Sequence, residues 1–169
     1  MYGIAAKLTH KMKRQHAPEL AISIGVVAGL RPMTALALIA WGLKRGWMRS
    51  GRSTYARIIS ASAAKRIAEF AVSELVADKL PFTRSRLEAA PITWRIVSGA
   101  ICGAAIHSTK GTPARGAVLG GLGAIAGAVA GYHIRKRLNR EMPDLAVALL
   151  EDALAVGAGT AIVALGVQQ

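Results

Sequence analysis

Four of the nine carboxylates in this chain stand where a carboxylate is costly. Glu74 and Asp78 lie near the end of a polar helical segment at residues 63–80, and Glu151 and Asp152 lie two turns inside the last segment, residues 143–167. The neighbouring stretches are apolar and rich in small residues. Residues 116–132 read GAVLGGLGAIAGAVAGY without a charge, and residues 96–109 and 153–168 are similar. Runs of this kind suit a bilayer, whose hydrocarbon core takes about 20 residues of helix to cross. Ionisable groups within such segments mark ion, proton or substrate pathways by default, unless a structural partner neutralises them. Glu74 and Asp78, four apart, share one helix face and suit a proton or cation relay. The competing reading is an ion pair with Lys79, Arg95 or Arg31. Glu151 and Asp152 are adjacent and so point about 100° apart, which lets only one of them face a given partner.

Arg31 is the cationic counterpart. It has an apolar run on each side and precedes Pro32, Met33 and Thr34. A half-helix starting there presents unpaired N–H groups and the positive end of its dipole, which favour an anion. Thr112, Pro113 and Arg115 offer the same chemistry later in the chain; the alternative for Arg31 is a headgroup contact or a pair with Glu74. The candidate pathway residues are therefore Arg31, Thr34, Glu74, Asp78, Arg95, Glu151 and Asp152. No metal site, nucleophile elbow, catalytic triad or phosphate loop is visible, so no metal, no cofactor and no enzymatic activity are expected. His107 and His133 fall at helix ends and read as interfacial. Cys102 stands alone and reads as a small packing residue.

The elements that must position these groups follow from the punctuation of the sequence. Residues 1–17 form a basic arm, and residues 18–169 a single transmembrane domain. Helical segments are expected at 19–43, 63–80, 92–109, 113–138 and 143–167, the first of them broken at 29–32. Gly29 and Pro32 mark that break, because proline lacks the backbone donor and disfavours helix at Arg31. Either 19–43 is one kinked crossing of about 37 Å, or it is two half-helices in a re-entrant hairpin. Gly111 and Pro113 mark the second helix-opening turn. Gly99 and Gly103, Gly116 and Gly120, and Gly123, Gly127 and Gly131 recur at spacings of four, which builds helix-contact ridges. The class is thus all-α, an integral membrane bundle of four to six helical segments. A faint internal repeat pairs the two proline turns and the two acidic helices, and is compatible with inverted halves meeting near Arg31.

The net charge of +13 does not indicate nucleic acid as a partner. The basic residues fall in short clusters between apolar runs, at 7–14, 44–57, 79–86 and 135–140, rather than on one face with aromatics. Clusters so placed meet anionic lipid headgroups. The expected partners are membrane lipids and a second copy of the chain, because so small a bundle exposes much glycine surface. The expected location is a bacterial inner membrane with the N-terminus cytoplasmic. Residues 20–37 have some features of a cleavable signal, but Arg31 and Pro32 interrupt them, and retention is expected.

The stretch from Glu74 through Asp78, Lys79 and Pro81 to Arg84 and Arg86, followed by Arg95, Gly99 and Gly103, resembles the bacterial membrane family DUF4126. So do the Gly29 to Ala35 motif and Glu151-Asp152. The resemblance covers most of residues 20–165 and implies membrane location, but no activity. The function expected from the residues is a small transporter or channel for an ion or small solute, anions included, coupled to protons through buried carboxylates. The alternative is a structural or lipid-interacting module without transport.

Overall fold

The computed structural model describes residues 17–46, 61–77, 89–107 and 112–167, and these form six α-helices with no strand among them. They are α1 (Ala17–Leu30), α2 (Pro32–Lys44), α3 (Ala61–Ala77), α4 (Ala89–His107), α5 (Pro113–Leu138) and α6 (Asp144–Val167). The expected break is narrower than residues 29–32: only Arg31, at φ −140° and ψ 88°, leaves the helical region. Helix α4 starts earlier than expected and takes Pro91 into its first turn, where an N–H would have no helical partner anyway. Residues 1–16 of the basic arm, the segment after Thr54, Asp78 and Gly111 lie outside the described residues.

The chain doubles back at Arg31. Val27 and Leu38 both reach Gly159 on α6: a Cβ there would collide with Leu38 and lie 3.4 Å from Val27. Arg31, between them in sequence, meets Asp152, two turns earlier on α6. An unbroken helix would hold Val27 and Leu38 about 16 Å apart. So α1 runs against the direction of α6, α2 runs with it, and the pair forms a V with Arg31 at its tip. Each arm, 14 and 13 residues long, is about 20 Å and too short to cross a bilayer alone.

Helices α1, α4 and α5 form the dense centre, and glycine allows it. Residues of α5 buried against its neighbours are all Gly or Ala, including Gly116, Gly120, Gly123, Ala124, Gly127, Ala128 and Gly131. A Cβ on Gly25 or Gly99 would strike Gly120, one on Gly103 would strike Gly116, and one on Gly127 would strike Val26. These pairs place α1 parallel to α5 and α4 antiparallel to it. Gly29, expected as a turn residue, is needed for the same reason: its missing side chain admits the backbone of Ala124, Gly127 and Ala128. The ridges are therefore filled within the chain. The apolar core is completed by Leu20, Ile24, Leu36, Ile39, Cys102, Ile106, Ile162 and Val163.

The two proline turns do not meet. Gly116 packs on Gly103 and His107, whereas Gly29 packs against residues 124–128. The 16 residues from Thr112 to Ala128 carry the second turn about 24 Å away along α5. The inverted-repeat reading gains no geometric support.

Gly120→Ala should destabilise the protein by 1 kcal/mol or more, in the roughly 1–3 kcal/mol range of overpacking. Gly157→Ala, on a helix and with nothing within 4 Å, should be neutral or mildly stabilising. Thermal unfolding of the two variants in detergent, compared with wild type, checks the contrast.

Candidate functional site

A helix broken inside a bundle leaves backbone donors and acceptors that must be satisfied without water. The ladder resumes when Ala35 N–H donates to Arg31 O at 3.1 Å. In between, the N–H groups of Met33 and Thr34 both donate to Glu74 Oε2 on α3, at 3.1 and 3.4 Å. On the carbonyl side, Arg95 Nη1 on α4 donates to Gly29 O and, at 2.6 Å, to Leu30 O. Ser98 Oγ, one turn further along α4, donates to Pro32 O at 2.7 Å. The carboxylate thus sits at the positive end of α2 and the guanidinium at the negative end of α1, the signs that helix dipoles favour.

Arg31 itself is 1% exposed, among the most deeply buried large side chains described. Its Nη2 lies 2.5 Å from Asp152 Oδ1. Four charges from four elements therefore converge at the tip of the V: Arg31, Glu74 from α3, Arg95 from α4 and Asp152 from α6. The positive charges of Arg31 and Arg95 both act on Glu74, but its bonded partners are backbone amides rather than either guanidinium. The sequence also offered a side-chain ion pair with Arg31 or Arg95; the amides win because Pro32 leaves them without helical acceptors.

Glu151 takes the other direction, as adjacent positions must. It lies on the buried stripe of α6 with Val147, Ala148, Ala155, Gly159 and Ile162, and its Oε2 is 3.7 Å from Arg135 Nη1. Arg135 also holds Asp144 through Nε and Nη2, both at 3.0 Å. It thereby fastens the end of α5 to the start of α6. Of the expected pathway residues, Arg31, Thr34, Glu74, Arg95 and Asp152 come together, Glu151 is one residue removed, and Asp78 lies outside the described residues. Pro32 and Gly29 belong to the site; Pro113 does not. Ser98 and Arg135 were missed. Ser98 carries no sequence signal beyond one hydroxyl in an apolar helix, and Arg135 was hidden in a cluster that reads as surface charge.

His107 corrects another expectation. It is buried within the protein at the end of α4, packed against Gly116, rather than facing outward. His133 is exposed. Among the described residues no group of three or more His, Cys, Asp and Glu is placed to hold a metal ion.

Fold and site together define an all-helical protein built around a charged helix break, with two helices, Pro113–Leu138 and Asp144–Leu165, long and apolar enough to cross a membrane. Residues 19–168 match the model of a family described as a domain of unknown function, DUF4126, and the chain belongs to that family. No curated protein and no solved structure matches the chain.

Removing one partner of a buried ion pair strands the other, at a cost of about 3–5 kcal/mol. Arg31→Met and Asp152→Leu should each destabilise by that order, while the double variant should lose much less than the sum. A double-mutant cycle by chemical denaturation in detergent measures the coupling; additive losses would show that the pair is not formed.

Proposed function

We propose that the protein is a small integral membrane transporter or channel whose pathway passes the charged break between α1 and α2. The observation that carries this reading is the burial of Arg31 at the tip of two half-helices, surrounded by Glu74, Arg95 and Asp152. Charge of this density in an apolar bundle costs several kcal/mol, and paired half-helices with inward-facing termini are a recurrent way to bind a permeating ion or solute.

The membrane setting rests on the outer surfaces as well as on helix length. Val118, Leu122 and Val129 on α5 and Leu145, Leu149, Leu150 and Leu154 on α6 are exposed. Apolar faces this long are unfavourable in water and suit lipid tails. The backbone polar groups at the break are answered from within the protein, as lipid requires. With α1 and α2 re-entrant, the basic segments before and after them share a side of the membrane. That side is cytoplasmic by the distribution of Lys and Arg. The basic segments then meet anionic headgroups.

The second reading, a structural or lipid-interacting module, draws on the same contacts, because Arg31 with Asp152 and Glu74 with its amides are closed pairs. Transport separates the two. Purified protein in liposomes should pass at least one ion or small solute from a panel of monovalent cations, halides, nitrate and short carboxylates. Arg31→Lys, which keeps the charge but loses the planar fork, should reduce that flux while leaving the protein folded by circular dichroism. Liposomes as tight as empty ones to the whole panel would favour the structural module.

A further inference from the structure

The positive end of α2 is an anion site, and its present occupant belongs to the protein. Two amides, those of Met33 and Thr34, point at one carboxylate oxygen of Glu74. A third donor stands on the same residue as one of these amides. The Thr34 side chain is 5% exposed, and its Oγ1 has no hydrogen-bond partner among the described residues. A buried hydroxyl in that condition is costly unless a ligand completes it. Arg31 and Arg95 add positive charge from the break and from α4.

The helix bearing the occupant is peripheral. Helix α3 packs chiefly on α2, outside the tight α1–α4–α5 centre. Its outer face, with Phe70, Val72 and Ser73, is exposed. Glu74 is tied to the site through a flexible side chain, and its withdrawal disturbs none of the glycine contacts that hold the centre together.

Charge balance says what must accompany that withdrawal. Around the tip of the V stand Arg31 and Arg95, both permanently protonated, with Glu74 and Asp152. The sum is zero when both carboxylates are ionised. An anion entering in addition would leave a net negative charge in a buried site, which is strongly unfavourable. A proton taken up by Glu74 restores neutrality and removes its claim on the amides. Asp152 is the other carboxylate facing the cluster, but it contacts Arg31 rather than the amides.

We propose that the N-terminus of α2 binds a small monovalent anion, of the halide, nitrate or formate class, and that Glu74 is its tethered competitor, leaving the Met33 and Thr34 amides as a neutral carboxylic acid so that one proton is taken up for each anion bound. The anion accepts from the two amides and the Thr34 hydroxyl. This deepens the transport reading, on which its role in permeation rests, by naming the substrate class and the coupling.

Linkage fixes the sign. With one proton bound per anion, affinity rises as pH falls, by up to about tenfold per pH unit while Glu74 is ionised in the anion-free state. The test is binding of sodium formate and sodium bromide to the full-length protein in detergent, followed by the thermal midpoint at constant ionic strength, at pH 5 and pH 8. Wild type should bind either anion at least tenfold more tightly at pH 5. Glu74→Gln, which mimics the protonated acid, should bind with the pH dependence lost, and adding Thr34→Val to it should weaken binding severalfold. Wild-type binding that is equal at the two pH values, or absent at both, overturns the proposal, as does a Glu74→Gln variant that keeps the full pH dependence. If Glu74→Gln does not fold, the wild-type comparison decides alone. Anion binding of the expected kind in a protein whose liposomes are tight would remove the transport reading and leave the site. Flux with no anion binding would do the reverse.

Discussion

Backbone groups released by Pro32 inside an apolar bundle have to find partners, and the arrangement of this molecule follows from how they do so. Two amides of α2 require an acceptor, and the carbonyls of Gly29 and Leu30 at the end of α1 require donors. Water is no substitute in a buried position, where an unmade hydrogen bond costs about 1–3 kcal/mol. Glu74 supplies the acceptor and Arg95 the donors, while Ser98 adds a bond to Pro32 O at the start of α2. Residues 40 to 66 positions away in sequence are thereby drawn to one point. Because the chain turns at that point, Arg31 is driven inward, and its charge in turn calls for Asp152 from the last helix. One proline thus accounts for the convergence of four elements.

Packing makes that convergence attainable. Arg95 and Ser98 reach the broken backbone because α4 lies close to α1, and α4 lies close because both rest on the glycine and alanine face of α5. Larger residues at Gly99, Gly120 or Gly29 would push these backbones apart and pull the guanidinium out of reach of the carbonyls. The glycine ridge and the charged site are therefore parts of one device. The first sets the spacing and the second answers the polar groups that the spacing brings together. On the far side, Arg135 holds the α5–α6 connection to Glu151, which fixes the rotation of α6 and so presents Asp152 to Arg31.

The local features of this design were legible in the sequence. Proline and glycine gave away the break, the helix ends near Pro113 and Pro143 were placed within a residue, and Glu74 and Asp152 stood out because carboxylates in apolar segments demand an explanation. The spacing of glycines identified a contact face. Pairing was less legible. Glu74 suggested an arginine partner because charge is visible in a sequence, whereas amides become available only through the geometry of the break. Ser98 and Arg135 matter through partners many residues away, which periodicity does not encode. His107, at a helix end, read as interfacial until the packing of α4 on Gly116 buried it. The resemblance between the two proline turns was local: each opens a helix, but α5 runs the length of the bundle and carries its own turn away from the first.

The Glu74 carboxylate seats on the start of α2 and holds the break together. Amide NMR of selectively labelled protein in detergent micelles, following the Met33 and Thr34 N–H resonances through a pH titration, tests it most directly. Both amides should shift with one common titration, and Glu74→Gln should abolish it while leaving the amides of α5 in place. Amides of Met33 and Thr34 that do not respond to pH, or that titrate unchanged in the Glu74→Gln variant, would contradict that seating.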